Sequence, residues 1–174
     1  MLRIICGDKI LLRPIELSDT ELIVKWRNTD EVKSQFVFQK AFTNEIHNHW
    51  MKTKVASGEV IQYIIEIKDT GKPIGSVYFR DIDIVNISAE FGIFIGEVTA
   101  LGKGYGSETA ILFTEFGFSE LKLHRIFLRV FTDNIGAIKS YKKAGFSEEG
   151  IAKDMVFQNG KFRSMTFMSK ISES

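Results

Sequence analysis

Apolar and polar positions change period several times along the chain, and each change marks an element. Lys9-Ile10-Leu11-Leu12-Arg13-Pro14 reads as a short first strand. Behind it, Ser18 with Glu21 three residues on forms a capping box ahead of Leu22, Ile23, Val24 and Trp26, which predicts a first helix ending near Asn28. A second helix is predicted from Thr43 or Asn44, carrying Ile46, Trp50 and Met51 and closed by Ser57-Gly58. From Val60 the period drops to two. Val60 to Ile67 and Ile74 to Phe79 are extended runs joined by Asp69-Thr70-Gly71-Lys72-Pro73, a hairpin. Ile87 to Ile95 sets Ala89, Phe91, Ile93 and Ile95 against Ser88, Glu90, Gly92 and Phe94, a third strand.

At Gly104 the period becomes about 3.6, because Tyr105, Thr109, Leu112, Phe113 and Phe116 share one helical face. Arg125 to Phe131 is the next strand, and Asn134 to Ala144 the next helix, with Gly145 as its C-cap. Phe146 to Phe157 and Phe162 to Ile171 complete a C-terminal hairpin with Asn159-Gly160 in its tip. No repeat or Pro-rich linker interrupts the order, so residues 1–174 read as a single domain. The class is α/β (α+β) with antiparallel hairpins, not a regularly alternating βα wheel.

Composition sharpens this picture in three places. A chain of 174 residues buries roughly 70% of its unfolded surface, so a core led by 15 Phe needs no staple. The single Cys6 excludes an internal disulfide and is expected to be a small buried hydrophobe. A net charge of +1 argues against nucleic acid as a partner. No stretch approaches the roughly 18 to 20 apolar residues of a membrane span, and the start is too soon charged for a signal peptide. No membrane partner is expected, and a cytoplasmic location is. His47 and His49 point about 200° apart on a helix, and no third ligand is positioned to help, so no metal is expected.

The chemistry concentrates in Leu101-Gly102-Lys103-Gly104-Tyr105-Gly106-Ser107, where a strand hands over to a helix. Such a turn collects free backbone N–H groups and the positive helix end around an anion, and glycines let a pyrophosphate approach the backbone. It reads as a phosphate cradle or an ordinary glycine turn. A dinucleotide fingerprint fails because Ser107 stands at its third glycine, and a P-loop fails because Gly104 stands at its Ser/Thr position.

Leu101 to Gly106 resembles the R/Q-x-x-G-x-G/A signature of the GNAT N-acetyltransferases, with Leu101 departing from the usual Gln or Arg. Asp133-Asn134-Ile135-Gly136-Ala137-Ile138-Lys139-Ser140-Tyr141-Lys142-Lys143-Ala144-Gly145-Phe146 is similar to the family's N-x-x-A-x-x-x-Y-x-K-x-G-F helix. The ending Phe157 to Phe162 resembles the closing hairpin of its RimJ/RimL-like branch. The resemblance implies a mixed, mostly antiparallel sheet of about seven strands flanked by about four helices. It implies acetyl-CoA as co-substrate. Phe94 and Ile95 would offer backbone groups to its pantetheine, the segment Leu101, Gly102, Lys103, Gly104, Tyr105, Gly106 and Ser107 would hold its pyrophosphate, and Asn134 would bond near the thioester.

For catalysis the resemblance implies that Tyr141 protonates the leaving thiolate. Asn134 and Tyr141, seven residues apart, share a helix face, although Ala137, Ile138 and Tyr141 would equally make a core stripe. Glu90, in an A-E-F-G run, is the candidate general base, directly or through water; the alternative is a solvent-facing charge. For the acceptor, Val24 to Asn28 and Glu45 to Trp50 resemble the branch that acetylates the 4-amino group of UDP-amino-dideoxy sugars. Arg27 would pair with a diphosphate and Trp26 or Trp50 would stack on a ring, with Asn28 and His49 beside them; a buried Trp26 and a solvated Arg27 are the equal alternative. The alternatives are a protein N-terminus, a polyamine, or a module that binds acyl-CoA without turnover. Relatives of this kind commonly form dimers, so a homodimer is an expected state.

Overall fold

In the computed structural model, which describes residues 2–173, every run that alternates with period two becomes a strand. The strands are β1 Ile5–Cys6, β2 Ile10–Pro14, β3 Ile61–Ile67, β4 Pro73–Asp83, β5 Ser88–Ile95, β6 Arg125–Phe131, β7 Ser147–Gln158 and β8 Lys161–Ile171. The helices are α1 Thr20–Arg27, α2 Asp30–Lys33, α3 Asn44–Trp50, α4 Tyr105–Ser119 and α5 Ile135–Lys143. The strands form one sheet in the order β1-β2-β3-β4-β5-β6-β8-β7. Every neighbouring pair is antiparallel except β5 and β6, which run parallel. The mixed, mostly antiparallel architecture is the one expected, with eight strands because β1 adds a short edge.

Alternation along the strands gives the sheet two different faces. One carries Val77, Phe79, Phe91, Ile126 and Leu128 against Phe113 and Phe116 of α4 and Ile138 of α5, the larger core cluster. Phe79 and Phe113 stack there with ring centroids 4.3 Å apart. On the other face a smaller cluster joins Ile64 and Phe94 to Ile23 and Trp26 of α1 and Val32 of α2. The same face carries a polar row, Ser76, Tyr78 and Arg80 on β4, which runs beside Phe94, Gly92 and Glu90 on β5.

The parallel pair is short. Only Ser88, Ala89 and Glu90 register with Arg125, Ile126 and Phe127, after which the two strands part. Beyond Glu90, β5 stays paired with β4 as far as Ile95, and β6 stays paired with β8 as far as Phe131. Facing edges of β5 and β6 are therefore left open to each other, a wedge-shaped gap in the middle of the sheet.

Local signals explain most of the boundaries. Gly145 takes φ +92° after α5, and the Phe146 N–H donates to the Tyr141 carbonyl at 3.0 Å, a C-terminal cap of the kind its glycine predicts. Asn159 (φ +52°) and Gly160 (φ +77°) both sit left-handed in the β7–β8 turn, as a two-residue hairpin requires. The capping box is corrected. Ser18 Oγ reaches only Glu16 Oε2, at 3.4 Å, whereas Asp19 accepts from the Glu16 N–H at 2.8 Å and from Arg13 at 2.7 and 2.8 Å. Asp19 closes the turn because it satisfies an amide and an arginine together. Cys6 is exposed, not buried, because β1 is a two-residue edge strand. α2 was not expected from periodicity; Thr29 caps it by accepting from the Val32 N–H at 3.4 Å.

Trp26 owes its place to Gly96. A Cβ built on Gly96 would lie 2.1 Å from the Trp26 ring, and the indole N–H donates to Glu97 Oε1 at 2.9 Å. Gly96→Ala is expected to lower stability by about 2 kcal/mol, because overpacking exceeds the 0.4–1 kcal/mol that a Gly-to-Ala change returns through unfolded-state entropy. Urea unfolding checks it; a midpoint equal to or above the parent's would show that Trp26 has room to shift.

Candidate active site

The gap between β5 and β6 opens into a cleft of about 1540 Å³, bounded by α1 to α3 on one side and the N-terminal ends of α4 and α5 on the other. At one end stands the glycine turn. Gly102 (φ +72°) and Gly104 (φ +85°) hold left-handed conformations that side chains resist, and α4 starts directly after them. The first bond of the helix runs from the Glu108 N–H to the Gly104 carbonyl at 3.1 Å, so the N–H groups of Tyr105, Gly106 and Ser107 have no acceptor within the helix. They and the positive helix end make an anion cradle.

Leu101 is half exposed and brings no donor to this cradle. A cation comes from elsewhere: Lys9 Nζ lies 3.9 Å from where a Cβ on Gly104 would stand. Its strand is tied to the turn, since the Lys9 N–H donates to Glu108 Oε1 at 2.9 Å. Nothing local in the sequence marks Lys9, because only the sheet brings the start of β2 beside α4. Lys103 is exposed.

Phe94 and Ile95 lie on the part of β5 whose far edge is unpaired, so their strand can accept an extended ligand as an added strand would be accepted. Across the gap, Asn134 is the N-cap of α5, accepting from the Ala137 N–H at 3.2 Å and donating to Gln35 at 2.9 Å. Tyr141 and Asn134 both line the cleft. The Tyr141 ring packs on Phe91 and Phe146, with centroids 6.1 and 5.9 Å away. Burial, with neighbouring Tyr78, pushes its phenol well above the ordinary range, so it stays a proton donor at neutral pH.

Glu90 lines the cleft, but the residue is only 4% exposed and its carboxylate is fully engaged. Arg129 donates to it at 2.9 and 3.0 Å and Arg80 at 3.1 and 3.2 Å. Burial alone would raise its pKa, yet the hydrogen bonds and charges of Arg129 and Arg80 outweigh burial and hold it below 4.5. A carboxylate so held takes up a proton poorly, which speaks against Glu90 as the base. The alternation that sends Ser76, Tyr78 and Arg80 to one face of β4 was the available signal for its partner.

The acceptor residues divide. Trp26 is 1% exposed and a core residue, not a stacking platform. Asn28 is taken up in structure: it donates to the Val24 and Phe42 carbonyls at 2.8 and 2.7 Å and accepts from the Phe42 N–H at 2.9 Å. Arg27, His49 and Trp50 line the cleft. The Trp50 indole donates to Gln62 at 3.0 Å, and Gln62 donates to Ser76 at 2.9 Å. Phe36 and Phe42, unmarked by any motif, flank the Arg27 guanidinium at 3.5 and 4.5 Å. Among the described residues no group of three or more His, Cys, Asp or Glu side chains is gathered for a metal, and no helix is long and apolar enough to cross a membrane.

Glu90→Gln leaves two guanidiniums facing each other. With Arg80 and Arg129 about one third exposed, the loss is discounted to about 2 kcal/mol from the 3–5 kcal/mol of a fully buried pair. The stabilisation is present above pH 4.5, the ordinary value, and is lost as pH falls through the lower folded value. Unfolding of the variant should thus depend less on pH in the acid range; an acid limb identical to the parent's would contradict the clamp.

Residues 9–147 match the family model described as an acetyltransferase (GNAT) domain. The chain is 31% identical over 163 residues to YoaA of Bacillus subtilis (strain 168), an N-acetyltransferase, with 92% of each chain covered. It is 29% identical over 155 residues to the spermidine N(1)-acetyltransferase of Escherichia coli (strain K12), covering 88% of this chain and 81% of that one. The crystal structure of spermidine N-acetyltransferase from Vibrio cholerae in complex with CoA and spermine has the same fold, with a TM-score of 0.88 at 24% identity over 95% of this chain and 96% of that one. A parted parallel strand pair, a glycine turn that opens a helix beside it and a family match across most of the sequence agree, and the chain belongs to the GNAT family of acetyltransferases.

Proposed function

We propose that the protein transfers the acetyl group of acetyl-CoA to a primary amine of a small molecule, directly, with both substrates bound together. The observation that carries this reading is the gap between β5 and β6, open on the Phe94–Ile95 edge and ending at the free amides of Tyr105 to Ser107. The amides receive the pyrophosphate, and the open edge of β5 receives the pantetheine. The cleft leaves room for an amine to meet the acetyl carbonyl. A bond forms between the amine nitrogen and the carbonyl carbon, and the carbon–sulfur bond breaks. The amine's proton leaves to solvent, and Tyr141 gives its own to the thiolate and regains one from solvent. With Glu90 clamped, water takes the part of base.

For the acceptor, the names of the relatives in Escherichia coli and Vibrio cholerae support a polyamine as the first amine to test. The nucleotide sugar expected from Val24 to Asn28 and Glu45 to Trp50 gains no support from those relatives, and two of its residues, Trp26 and Asn28, are spent on the fold. CoA release should be followed with acetyl-CoA against spermidine, peptides with free N-termini and a UDP-amino sugar. Acetyl-CoA binding with no release from any amine would instead describe a binding module.

Tyr141→Phe is expected to lower kcat by about 100-fold with little change in acetyl-CoA affinity, the signature of a lost proton donor. An unchanged kcat removes Tyr141 from the step. Lys9→Ala is expected to raise KM for acetyl-CoA roughly 3- to 10-fold with kcat retained, an effect that shrinks with added salt. Equal KM values at low salt would separate Lys9 from the phosphates.

A further inference from the structure

Arg27 ends α1 and reaches the cleft, and it is the one arginine of the cleft wall without an ion pair. Arg80 and Arg129 are matched to Glu90, whereas no carboxylate among the described residues lies within ion-pair distance of Arg27, and its Nε is buried with no hydrogen-bond partner. The guanidinium is instead held by two aromatic faces, Phe36 at 3.5 Å and Phe42 at 4.5 Å. Cation–π contact recovers part of the cost of burying a charge but gives the buried Nε–H no acceptor. Burial pushes Arg27 down to about 10, which leaves it charged at neutral pH.

A second buried donor or acceptor in the same wall is also unclaimed. His47 is 1% exposed, its Nδ1 is bonded to Thr20 Oγ1 at 2.9 Å, and its Nε2 has no partner. Of the five Lys and Arg side chains that line the cleft, Arg80 and Arg129 share Glu90 and Lys54 pairs with Glu59, which among the described residues leaves Arg27 and Lys40 without a salt bridge against one further carboxylate, Glu31. The positive excess that remains favours an anionic group over a further cation. The cofactor's pyrophosphate has its own place at the α4 turn. Arg27 belongs to the opposite wall, with Phe36, Phe42 and His47 from the α1 to α3 segment.

We infer that the acceptor is an amine that also carries an anionic group, a phosphate or a carboxylate, and that Arg27, held against Phe36 and Phe42, receives that group. The inference rests on the acetyl-transfer reading and, for the acceptor, sets the free Arg27 against the polyamine that the relatives' names suggest. A guanidinium already held by two aromatic contacts is organised in advance for a two-point contact, so little freedom is lost when the anion arrives.

The test uses matched amines with and without the anion: O-phosphoethanolamine with ethanolamine, glucosamine 6-phosphate with glucosamine, and γ-aminobutyrate with butylamine, with spermidine as the polycation. CoA release and calorimetric binding to the CoA-loaded protein are measured for the parent, Arg27→Gln and Arg27→Lys. At least one anionic amine is expected to exceed its neutral partner by 10-fold or more in kcat/KM. That advantage is lost in Arg27→Gln and partly restored in Arg27→Lys, while acetyl-CoA affinity stays the same. Which pair responds separates phosphate from carboxylate. Thermal unfolding gives an independent reading: removing an unpaired buried cation should leave Tm unchanged or raise it, whereas a structural arginine would lower it.

Spermidine or neutral amines used as well as the anionic ones, with Arg27→Gln leaving them intact, would overturn the inference and leave acetyl transfer standing. A loss confined to acetyl-CoA affinity would also overturn it, assigning Arg27 to the cofactor. If no amine releases CoA, the acetyl-transfer reading fails separately. Calorimetry then tells the two failures apart: Arg27-dependent binding of an anionic amine upholds Arg27 as the anion site while the acceptor role falls, and absence of such binding overturns both.

Discussion

The cleft depends on one buried carboxylate. Glu90 is the last residue of β5 that registers with β6, and beyond it the strands diverge. A sheet that opens in its middle exposes backbone edges and invites the two halves to slide. Arg80 on β4 and Arg129 on β6 both bind Glu90, so one carboxylate ties three strands together at the vertex of the gap. Desolvation makes such an arrangement costly, and it is held by four charge-assisted hydrogen bonds within 3.2 Å. The result is a fixed opening angle and a residual positive charge at the floor of the cleft.

The two faces of the sheet are unequal for the same reason. Against α4 and α5 the face is apolar, with Phe79 and Phe91 packed on Phe113 of α4, and it supplies the larger core cluster of the domain. Towards α1 to α3 the same strands present Ser76, Tyr78, Arg80 and Glu90, a row that no compact core would accept. The helices on that side therefore meet the sheet at a small cluster, where Ile23, Trp26 and Val32 pack with Ile64 and Phe94, and through the Trp50 indole on Gln62. What they leave between themselves and the polar row is the acceptor side of the cleft.

Seen this way, the residues around the cleft fall into those that shape it and those still free to bind. Trp26, Asn28 and Glu90 have their polar atoms engaged by protein. Asn134 caps α5 with its oxygen. Arg27, the Nε2 of His47 and the amides that open α4 retain donors or acceptors without protein partners. Burial and satisfaction of hydrogen bonds draw this line, and residue type alone does not.

Elements were legible in the sequence because local periodicity and turn chemistry determine them. The strands, the long helix after Gly104, the glycine cap at Gly145 and the Asn159-Gly160 hairpin follow from side-chain spacing and from positions that need positive φ. The glycine turn and the Tyr141 helix were legible too, since each lies within one continuous segment. Tertiary structure alone decided which charges meet: Glu90 with Arg80 and Arg129, Lys9 with the α4 turn, Arg27 with Phe36 and Phe42. These partners come from separate segments, and a side chain's ionisation, burial and freedom to bind are set by neighbours that the chain brings together only on folding.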